Sequence, residues 1–209
     1  MRTCHIVGAG ERTDFKITSV DGDIVVACDG GLKYLDEDNI LPDVIIGDFD
    51  SLGFVPEGKK VVKLNVIKDE TDVGAALRIY GDEYDRFMLY CCTGGRISHT
   101  FANIQNVLPL VKKGKEIFIF DGKETITFVN NGSVVFDNAT GSFSVLSIGK
   151  SVGVSITGAK YTLLDAVLSD DYPLGVSNEF CGEKTVINVK DGTLMICFPS
   201  KSSLPVKIS

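Results

Sequence analysis

The 209-residue chain has no apolar run that approaches the ~20 residues of a membrane span. Its six cysteines include no C-x-x-C pair, which argues against a zinc ribbon or a thioredoxin-type site. Most of them lie inside apolar runs, as expected for buried free thiols in a reducing cytosol. The N-terminus enters its first predicted strand almost at once, without a cleavable signal peptide. These absences predict a cytoplasmic protein without a membrane partner.

Basic charge is also scarce. The chain carries 21 Lys and Arg against 28 Asp and Glu, for a net charge of -7. A general nucleic-acid binder needs a basic surface, so the composition disfavours a nucleic-acid partner. An acidic protein can still bind ATP, because a metal ion and a few local cations neutralise the phosphates. The hydrophobic fraction of 44% is enough for packed cores, in one large domain or two modest ones.

The most informative stretch is Asp43–Ser51, an apolar, β-branched run that predicts a short strand and ends in two carboxylates. Residues i and i+2 of an extended chain point to the same side, so Asp48 and Asp50 can present their oxygens together. Two converging carboxylates repel each other unless a cation lies between them, and Mg²⁺ prefers oxygen ligands. The segment therefore predicts either a metal–phosphate site or an ordinary acidic turn after a strand.

The first half of the chain alternates strand and helix patterns, which predicts a mostly parallel sheet with helices on both faces. The predicted strands are Thr3–Val7, Ile24–Cys28, Asp43–Ile46, Val61–Val66, Phe87–Cys92 and Ile117–Phe120. Thr71 can cap a helix whose buried face carries Val73, Leu77 and Tyr80.

A further helix is predicted after Arg96. Ser98 is expected to cap it, and Pro109 is expected to kink or end it. Its apolar positions, spaced by three and four residues, are Phe101, Ile104, Leu108 and Val111.

Acids, glycines and an arginine follow several of these strands. The segments are Asp29-Gly30-Gly31, Gly47–Asp50, Gly94-Gly95-Arg96 and Asp121-Gly122. Ligands of open α/β sheets bind outside the carboxyl ends of the strands, so one ligand site at this edge is predicted. Glycines would let a ligand approach the backbone, and Gly-Gly-Arg before a helix resembles a phosphate cradle. Asp72 either answers the dipole of its helix or joins Asp48 and Asp50 around a metal.

From Glu124 onward the pattern changes to short β-rich runs separated by turns. They are Thr125–Val129, Val134–Phe136, Phe143–Ile148, Val152–Ile156, Val186–Val189 and Leu194–Phe198. Asn131-Gly132 and Asp191-Gly192 predict hairpin turns. The expected organisation is an α/β domain over 1–123, followed by a small all-β sandwich or barrel over 124–209.

In this order, the motifs resemble the thiamine pyrophosphokinase family. The segments that carry the resemblance are Asp29–Gly31, Pro42–Ser51, Lys68–Asp72 and Gly94–His99. In the second half, Gly158–Leu163 and Gly175–Glu179 are similar to that family's thiamine-binding β-domain, so the resemblance covers nearly the whole chain. It departs at Ser98, where the family usually has Asp.

The resemblance implies an enzyme that transfers a diphosphate from ATP to the hydroxyl of thiamine and releases AMP. It implies catalytic and Mg²⁺-binding roles for Asp48, Asp50 and Asp72. The implied ATP-binding residues are Asp29, Gly30, Gly31, Thr71, Gly94, Gly95 and Arg96. The implied thiamine-site residues are Lys68, Ser177 and Asn178, in a site shared between the two subunits of a homodimer.

Two other functions remain open from the residues alone. An Asp-x-Asp pair also suits a metal-dependent sugar-nucleotide transferase, which would bind a nucleotide sugar in preference to ATP. Ser98 suggests a non-catalytic thiamine or nucleotide sensor, which would bind its ligands without turnover. Our hypothesis is that Ser98 only caps its helix and that activity survives the loss of the family's usual acid.

Overall fold

In the computed structural model, which describes residues 1–48, 60–64 and 70–208, the chain divides into two units. Unit 1 is Met1–Gly122 and unit 2 is Lys123–Ser209. The predictions for Asp50, Lys68 and the end of the strand at Val61–Val66 lie outside the described residues.

Unit 1 is built on parallel strands. They are β1 (Thr3–Val7), β2 (Ile24–Cys28), β3 (Val44–Gly47), β4 (Lys60–Lys63), β5 (Arg86–Tyr90) and β6 (Glu116–Phe120). Within this unit the order across the sheet is β6-β5-β1-β2-β3-β4, and every adjacent pair is parallel. The chain moves outward from β1 to β4 and then returns to the other side of β1, so the strand order reverses between β1 and β5. Such a reversal is where open α/β sheets bind ligands.

Three helices cover the described part of this sheet: α1 (Gly31–Glu37), α2 (Asp72–Tyr80) and α3 (Ile97–Lys112). Leu32 and Leu35 of α1 pack in one cluster with Ala27 of β2. The thiol of the next residue, Cys28, donates a hydrogen bond to the carbonyl of Asp72 at the start of α2, with sulfur and oxygen 3.6 Å apart. Neighbouring residues of a strand face opposite sides, so α1 and α2 lie on opposite faces of the sheet, as predicted.

The buried face of α2 matches the sequence, whereas that of α3 matches only in part, at Val111. Phe101 was expected in the core and is 60% exposed, whereas Asn103 and Val107 are buried. The buried positions of α3 are Asn103, Val107, Leu110 and Val111. This face also has helical spacing, and its side chains include an asparagine that bonds to the backbone of the loop after β5.

Pro109 does not end α3, which continues to Lys112. Proline removes one backbone donor, here the partner of the Gln105 carbonyl four residues earlier. Both Gln105 and Pro109 are exposed, so solvent can hydrate that carbonyl at low cost.

Unit 2 is antiparallel throughout its described pairs, and with unit 1 it confirms the predicted fold class. Its strands are β7 (Glu124–Phe136), β8 (Thr140–Thr157), β9 (Leu163–Leu168), β10 (Asn178–Cys181), β11 (Thr185–Pro199) and β12 (Val206–Ile208). Their order is β10-β8-β11-β7, with β9 also paired to β8 and β12 to β7. The sequence patterns do not predict β9, β10 or β12.

The two predicted hairpin turns are wrong, because both dipeptides lie inside long strands. Asn131 (φ 47°) lies within β7 and Gly192 (φ 125°) within β11. The amide of Gly192 donates to Oδ1 of Asn131 at 2.9 Å, and the pairing register shifts between Val189 and Thr193. The left-handed residues therefore make facing bulges, at which two paired strands bend and continue.

The core of unit 2 centres on four phenylalanines. The ring of Phe136 lies 5.1 Å from that of Phe180 and 5.0 Å from that of Phe198, and Phe143 stacks on Phe180 at 4.2 Å. These residues are almost fully buried. In neither unit does a described helix have both the length and the apolar character needed to cross a bilayer.

Candidate active site

A cavity of about 830 Å³ lies at the carboxyl ends of β1, β2, β3 and β5. The loops after these strands and the first residues of α2 and α3 form its wall, so it lies where the strand order reverses. The sequence-predicted residues that line it are Asp29, Asp48, Thr71, Asp72, Gly94, Gly95 and Arg96. Gly30 and Gly31 are absent from the described lining, and Ser177 and Asn178 belong to unit 2.

Asp29 is held in a left-handed conformation at the end of β2 (φ 45°). Its amide donates to the carbonyl of Ile46 at 2.8 Å, and its carbonyl accepts from the amide of Leu32 at 3.1 Å. Gly31 has a structural reason to be glycine, because a Cβ there would lie 2.1 Å from the carbonyl oxygen of Val7. Gly31 thus lets α1 pack against β1, and the expectation that it also opens the backbone to a ligand stays a prediction.

The loop after β1 is part of the site, which the sequence motifs did not predict. Backbone bonds join it to the loop after β5: Gly10 donates to the carbonyl of Cys91 at 2.7 Å, and Glu11 donates to that of Thr93 at 2.8 Å. A Cβ at Gly10 would lie 2.4 Å from the carbonyl oxygen of Thr93. Gly8-Ala9-Gly10 directly after a strand was the available signal, since close backbone approach requires glycine.

The Gly94-Gly95-Arg96 turn leads into α3. Both glycines have positive φ, 77° and 60°, and Arg96 is the last extended residue before the helix. An Nη2 atom of Arg96 lies 3.5 Å from Nδ1 of His99, which also lines the cavity. The turn thus places a guanidinium at the cavity wall.

Ser98 does not cap α3, contrary to our hypothesis. The helix begins at Ile97, the N-cap position is Arg96, and no side chain accepts a capping hydrogen bond. The two left-handed glycines complete the change of direction before Arg96, so helical dihedrals start one residue before Ser98. Ser98 lies exposed in the first turn.

The first turn of α2 is capped by Thr71, as predicted. Its Oγ1 accepts from the amide of Gly74 at 3.0 Å and from Nδ2 of Asn106 on α3 at 3.1 Å. Glu70, which precedes the cap, binds Arg78 through two contacts of 2.7 and 3.1 Å. This hydrogen-bonded carboxylate raises the pKa of Arg78. The start of α2 is therefore fixed from both sides.

Three cysteines line the cavity together with the carboxylate side chains, and the thiols of two of them have a pKa far above neutrality. Burial raises the pKa of Cys28 well above its ordinary range and that of Cys92 to about 12. Both remain protonated thiols at neutral pH, whereas a soft metal would need thiolates. The carbonyl of Cys92 accepts from Nδ2 of buried Asn103 at 2.8 Å, which links β5 to α3.

The described lining is rich in carboxylates. They are Glu11, Asp29, Asp48, Glu70 and Asp72, and among the described lining residues Arg96 is the one Lys or Arg. Across the described ranges, no group of three or more His, Cys, Asp or Glu side chains is assembled for a metal. Asp48 and Asp72 nevertheless share this cavity, and their chemistry is that of hard oxygen ligands.

In unit 2, Asn178 is buried and its amide is already engaged. Its Oδ1 accepts from the amide of Tyr161 at 3.0 Å, and its Nδ2 donates to the carbonyl of Tyr161 at 2.7 Å. Ser177 is exposed and left-handed (φ 62°), and its amide donates to Oγ of Ser144 at 3.1 Å. Asn178 thus fixes the segment that carries exposed Tyr161.

Solved structures of a class of kinases, the thiamin pyrophosphokinases, share this fold. Thiamin pyrophosphokinase from Geobacillus thermodenitrificans is 26% identical, with a TM-score of 0.82 over 96% of this chain and 99% of that chain. Thiamin pyrophosphokinase from Candida albicans is 16% identical and shares the fold, with a TM-score of 0.74 over 95% of this chain and 89% of that chain.

Sequence comparison defines the family. The description "Thiamin pyrophosphokinase, catalytic domain" matches residues 19–119, and "Thiamin pyrophosphokinase, vitamin B1 binding domain" matches residues 135–194. The thiamine pyrophosphokinase of Bacillus subtilis (strain 168) is 26% identical over 210 residues, covering 94% of this chain and 98% of that protein. The chain belongs to the thiamine pyrophosphokinase family.

Proposed function

We propose that this chain transfers a diphosphate group from ATP to the hydroxyl of thiamine, giving thiamine diphosphate and AMP. The observation that carries the proposal is the acidic cavity with Arg96 at the reversal of strand order, in a chain of this family. The acceptor oxygen forms a bond to the β-phosphorus, and the bond from that phosphorus to the oxygen of AMP breaks. The hydroxyl proton is released.

Diphosphate transfer requires alignment and charge neutralisation more than covalent help. In this cavity Arg96 supplies a fixed positive charge, and the dipole of α2 adds partial positive charge at Thr71. The paired loops after β1 and β5 hold the backbone wall in place. The chain's own residues therefore bind and orient the polyphosphate.

Mg²⁺ is part of the proposal, because carboxylates line a cavity that must accept an anion. Asp48 and Asp72 would hold the ion, together with Asp50 from outside the described residues. The buried thiols of Cys28 and Cys92 stay protonated and leave the oxygen atoms as ligands. When bound, Mg²⁺ would neutralise charge on the phosphates.

The test is a product analysis with ATP, Mg²⁺ and thiamine. The expected products are AMP and thiamine diphosphate in equal amounts, identified by mass. ADP with thiamine monophosphate would refute diphosphate transfer, and ligand binding without turnover would favour a sensor. Activity with a nucleotide sugar in place of ATP would identify a sugar-nucleotide transferase.

A homodimer with a shared thiamine site belongs to the same proposal. Ser177 and Asn178 would contribute to that site, with Lys68 from outside the described residues. Both units expose large apolar side chains that an interface would cover, including Ile97 and Phe101 in unit 1 and Leu164 and Tyr172 in unit 2. Sedimentation at assay concentration should give a dimer, and a fully active monomer would contradict it.

We also propose a cytoplasmic location. None of the six cysteines, all of which lie in the described ranges, forms a disulfide, which supports a reducing compartment. Fractionation of the cells of origin should recover the chain with cytoplasmic markers; recovery with an oxidising compartment would contradict this.

A further inference from the structure

The hydroxyl of Thr71 has a defined hydrogen-bonding role in the cavity. A threonine hydroxyl offers one donor and two acceptor lone pairs. Gly74 donates its amide to Oγ1 at 3.0 Å, and Asn106 donates Nδ2 to the same atom at 3.1 Å. Both acceptor positions are filled by protein, so the capacity that remains is the hydroxyl hydrogen.

We infer that Asn106 is a positioning residue that makes Thr71 a donor toward the bound nucleotide. Thr71 lines the cavity, whereas Asn106 lies behind it on α3 and is absent from the described lining. A group that can only donate suits a phosphate oxygen and cannot give a lone pair to a metal ion. The inference rests on the proposed ATP site and adds which partner Thr71 takes there.

The geometry around Asn106 supports a fixed orientation. A Cβ at Gly74 would lie 3.0 Å from Nδ2 of Asn106 and 3.3 Å from Oγ1 of Thr71. The glycine thus leaves the space in which the α3 amide reaches the cap. Thr71 is extended (φ -78°, ψ 162°), as its cap role requires, so the cap and the Asn106 contact are compatible.

The decisive variant is Asn106→Asp, which replaces the donor by an acceptor of nearly the same shape. The introduced carboxylate would accept the Thr71 hydroxyl hydrogen and turn it away from the cavity. Thr71→Val removes the hydroxyl and keeps the side-chain volume. Each change should weaken ATP binding by about 10- to 100-fold, the range for a lost hydrogen bond to a charged group.

The double variant separates this mechanism from simple charge repulsion. With Thr71→Val in place, Asn106→Asp has no hydroxyl to turn and should weaken ATP binding no further. Asn106→Leu removes the Asn106 donor without adding charge, so it should cost less than Asn106→Asp. Gln105→Glu adds the same charge on the exposed side of α3 and should leave ATP binding unchanged.

The experiment is calorimetric titration of the full chain with ATP and Mg²⁺, with thermal melting of each variant as a folding check. The Mg²⁺ concentration that half-saturates binding should be the same in Thr71→Val as in wild type, because Thr71 is not a metal ligand. Further weakening by Asn106→Asp in the Thr71→Val background would overturn the inference.

Equal ATP affinity in wild type and Asn106→Asp would overturn the role of Asn106 and leave the proposed function intact. If Asn106→Asp does not fold, the comparison of Thr71→Val with Thr71→Ser decides: wild-type affinity in both refutes the donor role. A wild-type chain that fails to bind ATP would overturn both this inference and the proposed function.

Discussion

Unit 1 and unit 2 differ in where several of their left-handed residues lie relative to the strands. In unit 1, left-handed Asp29, Cys91 and Gly94 follow the strands at the edge that carries the cavity. In unit 2, left-handed Asn131 and Gly192 lie inside long strands, where the chain bends and continues. Parallel strands must all leave their sheet at the same edge, so their turns gather there. Antiparallel strands instead meet in a continuous core.

Substitutions in the two units should therefore affect different properties. Changes at the strand ends of unit 1 should reduce binding or turnover while the chain stays folded. Changes in the phenylalanine core of unit 2 should reduce the free energy of unfolding.

The largest effect is expected for Phe198→Ala in unit 2. Phe198 is fully buried and its ring meets Phe136 edge-on, with centroids 5.0 Å apart and planes at 70°. Truncation leaves a cavity and should lower the free energy of unfolding in urea by about 3–5 kcal/mol. Phe101→Ala removes the same group from a side chain that is 60% exposed and should cost much less. Equal losses would contradict the assignment of the core.

The next effect is expected for Asp50→Asn in unit 1, a change of charge with little change of shape. The variant should fold normally and lose about 100-fold or more in Mg²⁺-dependent turnover, because a hard cation needs the carboxylate charge. Asp36→Asn makes the same change at an exposed position of α1 and serves as the control. Retention of most activity by Asp50→Asn at ordinary Mg²⁺ would remove Asp50 from the metal site.

A smaller effect is expected for Ser98→Asp. Ser98 is exposed in the first turn of α3 and absent from the described cavity lining, so an acid there should change the rate of AMP release by less than about tenfold. A missing general base would instead cost about 10²–10⁴ in rate. An inactive wild-type chain that Ser98→Asp makes active would reverse this interpretation and favour a sensor.

The sequence predicted the parallel strands of unit 1 well because burial on both faces makes them continuous apolar runs. β1 and β2 have the predicted bounds, Thr3–Val7 and Ile24–Cys28. In unit 2 the hairpin turn predicted at Asn131-Gly132 was wrong, because a dipeptide that favours left-handed backbone occurs in bulges as well as in hairpins. Only pairing with a distant strand distinguishes the two.

The candidate site shows the same limit. Acids and glycines after strands can be found along the chain, and Asp29, Asp48 and Asp72 do share one cavity. Whether Asn106 reaches Thr71 depends on which face of α3 packs against α2. The apolar spacing of α3 predicted a different buried face. Likewise, Ser98 was predicted as a cap because the sequence shows only that two glycines precede Arg96. It does not show that both glycines are left-handed, which lets α3 begin one residue before Ser98.

The smallest predicted effect is a dependence of stability on pH that arises in unit 1. Both histidines of the chain, His5 and His99, precede unit 2, which therefore has none. His5 is buried, with Nδ1 3.3 Å from the hydroxyl of Tyr90 and Nε2 3.8 Å from Oδ2 of Asp23. Burial lowers the pKa of His5 from its ordinary 6.5, and the carboxylate of Asp23 opposes the shift without cancelling it.

Because the pKa of His5 is lower in the folded chain, the unfolded chain takes up the proton first as the pH falls. The free energy of unfolding should therefore decrease from pH 7.5 to pH 5.5, with a His5 contribution of at most about 1.4 kcal/mol. His5→Gln cannot titrate in this window, so urea unfolding of that variant should show a correspondingly weaker pH dependence. If wild type and His5→Gln lose the same free energy of unfolding between pH 7.5 and pH 5.5, another group takes up the proton. His5 then makes no contribution to the pH dependence assigned to unit 1.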